Sequence, residues 1–523
     1  MECSGTKTLP ELLRDQVRLH PDKDVVVFED AQGTVSSLTY RQFAGRVDRL
    51  AAALVADGVQ AGQKIAVMLG NSPEFLLAWF AINQAGAVLV PVNVFYSADE
   101  LRYLLNNSDS VAFITEAKFV PVFDEIGADC STVRIRILAR ERQAVPGFHL
   151  LQDYESKFRP EGAAGNTAVR VAPEAASQIV FTSGTTSRPK GAVISHKSSL
   201  MQGIAVAMLF GMRSDDRTCV VLPLFHVNGQ YVSVIPTLTV GGTIVLLETY
   251  SASRFWAQVQ AHACTVMSIV PMQLRTMLAQ PVQADEREHR VRFSFYALPT
   301  TDEEWDRFEQ RFGVRLVEGY GLSETLGICT SNPVVHGVVK RHCIGLPVLG
   351  REVRVVDEAN ADVATNEVGR ILVRGEPMFS GYYRNEEATL ACQVGDWFDT
   401  GDNGSLDVDG YVHFFDRSKD VIKRAGENIA ASEVERVLNE HPKILESAVI
   451  GVHDPLRDEA VKAFVVLRPG EQLTEEEIKA WCARRLSRFK VPSFCEFRDA
   501  LPKTSIGKIM KYVLKKESAH ARQ

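Results

Sequence analysis

The sequence predicts an α/β protein, with a large N-terminal domain of helix-covered β-sheets and a small α+β domain at the C-terminus. Three observations lead there. At 523 residues the chain is several times the length of a typical domain, so more than one core is expected. Strand-like apolar runs alternate with capped helical segments, the grammar of parallel sheets covered by helices. Near Phe415-Asp416-Arg417-Ser418-Lys419-Asp420 that grammar changes scale. The expected division is residues 1–418 and residues 419–523.

Lys64 to Leu69 reads as a strand, Ser72-Pro73-Glu74 as a helix start with proline at the first position, and Ala87 to Val90 as the next strand. Ser97 with Glu100 has capping-box spacing ahead of Leu101, Leu104 and Leu105, and Val111 to Ile114 returns as a strand. Beyond Lys419 the pattern predicts a helix capped at Ser432 with Glu435 three residues on. Strands at Ala448 to Ile450 and Ala463 to Leu467 follow, then a helix capped by Thr474 with Glu477.

Composition narrows the function classes. A formal net charge of −7 argues against a broad nucleic-acid binder, which normally carries a basic excess. Two long uncharged stretches, Phe75 to Ala98 and Thr218 to Leu247, are interrupted by Asn, Gln, Gly, His and Pro. Both read as buried elements joined by turns, so no transmembrane segment is expected. The N-terminus shows no secretory signal, and nine dispersed cysteines without a Cys-x-x-Cys pair suggest reduced thiols in the cytoplasm. Oligomeric state is not readable, and a homo-oligomer stays open.

The most informative loop is Thr182-Ser183-Gly184-Thr185-Thr186-Ser187-Arg188-Pro189-Lys190-Gly191, which follows the apolar run Gln178 to Phe181. Its hydroxyls, glycines and lysine can wrap phosphate oxygens. It is not a Walker A loop, because Lys190 precedes Gly191 and another strand-like run follows. A plain Ser/Thr/Gly hairpin is the bland alternative. Single residues are equally ambiguous in isolation. Glu324 beside Ser323 could hold Mg²⁺ or be a solvated acid. Asp402, in the turn Thr400-Gly401-Asp402, could accept ribose hydroxyls or be structural. Arg417 could meet a nucleotide or pair with Asp416 or Asp420. Lys508 could be catalytic, or could open a basic tail with Lys503, Lys511, Lys515 and Lys516, which has no acid among those lysines.

In its order of residues this loop resembles the phosphate-binding loop of the adenylate-forming superfamily, which includes acyl-CoA synthetases, peptide-synthetase adenylation domains and firefly luciferase. Further segments similar to the family's motifs follow in order. They are Pro223-Leu224-Phe225-His226, Tyr320-Gly321-Leu322-Ser323-Glu324, Gly395 to Asp402, Asp416 to Asp420, and Pro502 to Ile509. The resemblance implies an enzyme that uses ATP, Mg²⁺ and coenzyme A to join a small-molecule carboxylic acid to a thiol.

It also implies roles. Thr182, Ser183, Gly184, Thr185, Thr186 and Lys190 would hold phosphates, with Thr182 and Glu324 at the metal. Ala297, Glu318, Gly319, Tyr320, Gly321, Ser323, Asp402, Phe414 and Arg417 would contact the nucleotide. His226, Asn228, Tyr320 and Leu322 would face the acid. Lys508 would bridge carboxylate and α-phosphate in the first step. A mobile C-terminal domain turning at Lys419 would then bring up Lys423 and Gly426 for the thiol.

With 15 residues after Lys508 and no appended carrier domain, a separate thiol is expected, with coenzyme A favoured over a free carrier protein. A catalytically silent relative is the remaining alternative. His226 stands where amino-acid-activating enzymes usually carry Asp, which favours a CoA ligase. Asn228, Gly229 and Gln230, expected on a loop, suggest a small or polar acid. The chain departs from the family at Phe295-Tyr296-Ala297-Leu298-Pro299, where a Gly/Ala-rich segment is usual. That replacement, with Tyr250 to Trp256, Arg457 to Phe464 and Phe489 to Ser493, is most similar to bacterial crotonobetaine/carnitine-CoA ligases. A trimethylammonium acid would want an aromatic cage, for which Tyr231, Tyr296 and Tyr320 are candidates.

Overall fold

The computed structural model describes residues 6–157, 169–182, 189–297, 300–335, 337–417, 420–424, 427–454, 458–486, 488–504 and 507–520. Within them the chain builds four sheets. The first is seven-stranded, in the order His149–Leu150, Ile135–Leu138, Ser110–Thr115, Lys64–Met68, Val88–Pro91, Ala176–Thr182, Lys190–Ser195. Its pairs are parallel except the last, where Ala176–Thr182 and Lys190–Ser195 run antiparallel. The second is nine-stranded: Leu346–Pro347, Thr330–Ser331, Arg315–Tyr320, Phe293–Tyr296, Val266–Ile269, Arg217–Val220, Thr243–Leu247, Asp24–Glu29, Val35–Thr39. It is parallel through its centre and antiparallel at both edges.

One core joins these two sheets. Val26 and Ile244 from the nine-stranded sheet and Ile65, Val67 and Leu89 from the seven-stranded one share it with Tyr40, Phe43, Trp79 and Phe80 from helices. The helix Pro73–Gln84 buries every residue from Phe75 onward, as a helix apolar on all sides must. Ser72 caps it, accepting from the Phe75 N–H at 3.4 Å, and Pro73 takes the first position. Ser97 and Glu100 close the expected capping box of Ala98–Ser108. Both uncharged stretches are thus interior strands and helices, and no helix among the described residues is long and apolar enough to cross a membrane.

Residues 351–417 add a five-stranded sheet, and residues 421–497 another, closed by the helices Ala431–Asn439, Glu475–Ala483 and Lys511–His520. The cap expected at Ser432 is arranged differently. The helix begins at Ala431, and the Ser432 N–H donates to Asp416 Oδ2 at 3.1 Å while its hydroxyl donates to the Phe415 carbonyl. Glu435 closes no capping box. It accepts from the Val449 N–H at 2.7 Å and pairs with Lys511 at 2.9 Å. An acid from the preceding sheet therefore meets the positive end of this helix, which local spacing does not reveal. The basic tail is corrected too: Lys503 pairs with Glu446 at 2.5 Å, Lys511 with Glu435, and Lys515 with Asp420 at 3.2 Å.

Candidate active site

Parallel sheets bind ligands outside the carboxyl ends of their strands. The sequence-predicted residues collect at such ends. Thr182 closes Ala176–Thr182, while Glu318, Gly319 and Tyr320 close Arg315–Tyr320. Ala297 follows Phe293–Tyr296, and His226 and Asn228 come after Arg217–Val220.

The turn after Tyr320 is the centre of the arrangement. A Cβ on Gly321 would stand 2.5 Å from the Gly327 carbonyl oxygen, so only glycine lets the two backbone segments meet. A 3₁₀ turn, Ser323–Thr325, follows, fastened by the Leu322 N–H donating to Thr325 Oγ1 at 2.8 Å. From either side of this turn a bond crosses to residues 351–417. The Tyr320 hydroxyl donates to Asp402 Oδ2 at 2.5 Å, and the Tyr382 hydroxyl donates to Glu324 Oε1 at 2.6 Å. Asp402 is 1 % exposed and Glu324 8 %. Neither is a solvated surface acid.

Asp402 also does not sit in a simple turn. It belongs to the strand Trp397–Leu406, in which Gly401 takes φ 69° and the register shifts. Its register partner on the next strand is Arg417, so the two residues implied at the ribose are neighbours. The Phe414 and Tyr320 ring centroids lie 6.0 Å apart at 36°, within the range of rings in direct contact. A base can stack on an outer face of this pair but not between them. Burial, then the adjacent Asp402, holds the Tyr320 phenol above its ordinary range. Burial pushes the Glu318 carboxyl up to about 8, against a counteracting bond from the Cys343 N–H.

Lys190 begins the strand Lys190–Ser195, and its ammonium lies 5.0 Å from the centroid of the Tyr382 ring. The Thr182 hydroxyl donates to the Lys190 carbonyl at 3.4 Å. The stretch around Tyr382 joins this edge as an added strand. Ser380 N–H donates to the Val193 carbonyl, Val193 N–H to that of Gly381, and Tyr383 N–H to that of Gly191, at 2.7–3.0 Å. Tyr382 carried no signal that sequence reasoning used.

On the acyl side, burial lowers the half-buried His226 ring to about 4, so it is neutral near pH 7. The loop expected at Asn228 to Gln230 is instead a π-helical turn, Asn228–Val234. Gly229 makes that turn possible, since a Cβ there would meet the Pro223 carbonyl at 2.7 Å. Asn228 Oδ1 accepts from Ser268 Oγ at 3.0 Å and stays half-buried. Gln230 is fully buried, accepting from Gln178 at 2.8 Å and donating to the Leu224 carbonyl at 2.7 Å, so it does not line a pocket. Asn71, also unread in the sequence, accepts from the Leu224 N–H at 2.9 Å and donates to the Leu222 and Leu247 carbonyls at 3.2 Å. The segment carrying His226 is thereby tied to both large sheets.

The aromatic cage is not assembled. Tyr231 lies in the core between the large sheets, its hydroxyl 3.0 Å from Ser199 Oγ, whereas Tyr296 is edge-on to Trp305 in a second core and Tyr320 borders a third. The three rings pack in separate places and do not converge on one pocket.

From the C-terminal sheet, the segment bearing Lys508 reaches the nine-stranded side. A Cβ on Gly507 would come 3.5 Å from that of Met272 on the helix Pro271–Leu278. The Lys508 N–H donates to Thr504 Oγ1 at 3.1 Å. Ser183, Gly184, Thr185, Thr186, Lys419 and Gly426 lie outside the described residues, as do the side chains of Arg417 and Lys423.

A magnesium site needs little from the protein when phosphates supply most oxygens, typically one or two carboxylates. Among the described residues no group of three or more His, Cys, Asp or Glu could hold a metal by itself. The single buried Glu324 carboxylate, with one oxygen engaged by Tyr382, fits an ion that arrives with a nucleotide.

Comparison with known proteins identifies the family. Residues 13–383 match the AMP-binding enzyme family, and residues 433–508 match the AMP-binding enzyme C-terminal domain. A crotonobetaine/carnitine–CoA ligase of Citrobacter koseri is 37 % identical over 529 residues, covering 98 % of this chain and all of that one. The anthranilate CoA ligase AuaEII, solved with anthranoyl-AMP, superposes with a TM-score of 0.90 at 25 % identity, each chain covered in full. MatB from Rhodopseudomonas palustris gives 0.85 at 26 % identity in its ATP-bound form and 0.75 at 27 % in its apo form, with 98 % of this chain and all of that one covered. On sequence, fold and the order of its site segments, the chain belongs to the AMP-binding enzyme family.

Proposed function

We propose that this chain is an AMP-forming acyl-CoA ligase for a small or polar acid of the carnitine or crotonobetaine kind. The carboxylate attacks the α-phosphate of ATP, giving acyl-adenylate and pyrophosphate, and the coenzyme A thiol then displaces AMP to give the thioester. The observation that carries the reading is the pair of buried bonds, Tyr320–Asp402 and Tyr382–Glu324, that brace one strand end from both sides.

In this reading Lys190 and the Thr182 loop grip the phosphates, and Asp402 with Arg417 takes the ribose. Glu324 holds Mg²⁺, which when bound offsets charge along the triphosphate. Lys508 places its ammonium between the incoming carboxylate and the α-phosphate, where two anions must meet. The neutral His226 ring stands at the mouth of the acyl pocket.

The chain works as residues 1–418 carrying the substrates and residues 419–523 turning about Lys419. The closer superposition on ATP-bound than on apo MatB supports an arrangement set for the first step. The packing of Gly507 on Met272 supports it too. Lys423 and Gly426 then serve the thiol after rotation. A cytoplasmic location is supported by the eight free cysteines among the described residues.

The acid rests on the identity with crotonobetaine/carnitine–CoA ligases, together with the half-buried Asn228. A panel of betaines, short acids, aryl acids and fatty acids, read as coenzyme A-dependent AMP release, tests it. Betaines are expected to give the highest kcat/KM, and a clear preference for long-chain acids would overturn the assignment.

A further inference from the structure

The site contains a residue whose work is not accounted for by ATP, acid or thiol. Tyr382 stands where three parts of the structure converge. Its backbone extends the edge strand Lys190–Ser195, bridging to Ala192, and its N–H donates to Thr389 Oγ1 at 2.9 Å. Its ring carries the Lys190 ammonium on one face, 5.0 Å from the centroid, and packs edge-on against Phe379 at 5.1 Å. Its hydroxyl donates to Glu324 Oε1 at 2.6 Å, while the Phe379 N–H donates to the Glu324 carbonyl at 2.9 Å. One tyrosine thus meets the carboxylate at its hydroxyl and the ammonium on its ring face.

We propose that Tyr382 is a positioning residue that aims the Glu324 carboxylate at the nucleotide-borne metal and keeps the phosphate-binding Lys190 in register with it. This deepens the reading of Glu324 as the magnesium carboxylate and rests on it. A carboxylate has two oxygens, and a phenol bound to one fixes the plane in which the other is presented. The ring holds the lysine by cation–π attraction, a contact that needs the aromatic face but not the hydroxyl. The two functions can therefore be removed separately.

Tyr382→Phe keeps the ring and deletes the donor, Tyr382→Leu deletes both, and Tyr382→His restores a donor on a smaller ring. Two quantities are measured. One is the Mg²⁺ concentration at half-maximal acid-dependent pyrophosphate exchange. The other is Mn²⁺ affinity in the presence of a non-hydrolysable ATP analogue, by titration calorimetry.

For Tyr382→Phe both are expected to weaken about tenfold, the scale of one charge-assisted hydrogen bond, with KM for the acid unchanged. Tyr382→Leu should add a rise in KM for ATP, and Tyr382→His should recover part of the metal affinity. Melting temperature is read alongside. If Tyr382→Phe folds poorly, Tyr382→His and Tyr382→Leu carry the comparison. Metal affinity equal in those two, or unchanged in Tyr382→Phe, overturns the proposal. Glu324→Gln separates the layers: if it leaves metal affinity intact, the magnesium reading of Glu324 has failed. If only Glu324→Gln weakens the metal, Tyr382 alone has been misassigned.

Discussion

At the residue scale, the site depends on which polar groups burial isolates and which it pairs. Glu318 shows the cost. Its carboxyl is raised to about 8 by burial, whereas an unfolded glutamate ionises near 4.3. A carboxyl raised on folding costs nothing below its unfolded value and destabilises progressively as pH rises through its folded one. Glu318→Gln removes that cost. The melting temperature of the variant relative to the unaltered enzyme is expected to climb between pH 5 and pH 9, measured by calorimetry. A pH-independent difference would show that Glu318 titrates as an ordinary acid. The sequence presented Glu318 only through the family resemblance, because its titration is set by burial and by the Cys343 N–H, both of which depend on the folded chain.

At the element scale, local signals were legible and distant ones were not. Ser97 with Glu100 and Thr474 with Glu477 form their capping boxes as spacing predicts, since each box is complete within four residues. Ser432 resembles the same signal, but its helix is capped by Asp416, sixteen residues back on another sheet. The same neighbourhood holds Lys511 above its usual range, where Glu435, Asp416 and Asp420 outweigh the opposing burial.

Asp416 precedes the proposed pivot and Ser432 follows it, so their bond belongs to one orientation of the C-terminal unit. Asp416→Ala is expected to cost about 1 kcal/mol of stability, the usual worth of a helix cap. It should also slow acid-dependent pyrophosphate exchange more than thioester formation from supplied acyl-adenylate. Equal slowing of the two half-reactions would show that the cap is indifferent to domain orientation. The π-helical turn Asn228–Val234 was likewise invisible locally, since its apolar and amide residues are turned inward by partners on both large sheets.

At the scale of the whole molecule, one site serves two reactions with opposed demands: the first must exclude water, the second must admit a thiol. Lys508 belongs to the first alone in the mechanism proposed here. Lys508→Ala should lower acid-dependent pyrophosphate exchange by at least about a hundredfold, the scale of removing one transition-state charge contact. Thioester formation from supplied acyl-adenylate and coenzyme A should be nearly unchanged. Equal loss in both assays would remove the case for a division of labour between two faces of the C-terminal unit.

The order of motifs from Thr182 to Lys508 identified the family without coordinates, and the alternation of strand-like and capped helical runs the α/β class, because both signals are local. Their polar and turn-forming interruptions likewise marked both uncharged runs as interior elements. Tertiary structure alone decided how those residues are used. It joined Tyr320 to Asp402 and Tyr382 to Glu324 across segments more than fifty residues apart. It separated the three tyrosines of the supposed cage into different cores and withdrew Gln230 from the pocket. Composition sets how many aromatic and amide groups a chain owns. Which of them face a ligand depends on what the interior must first satisfy, since an unpaired buried polar group costs more than a hydrogen bond yields, and that demand is settled only when distant strands meet.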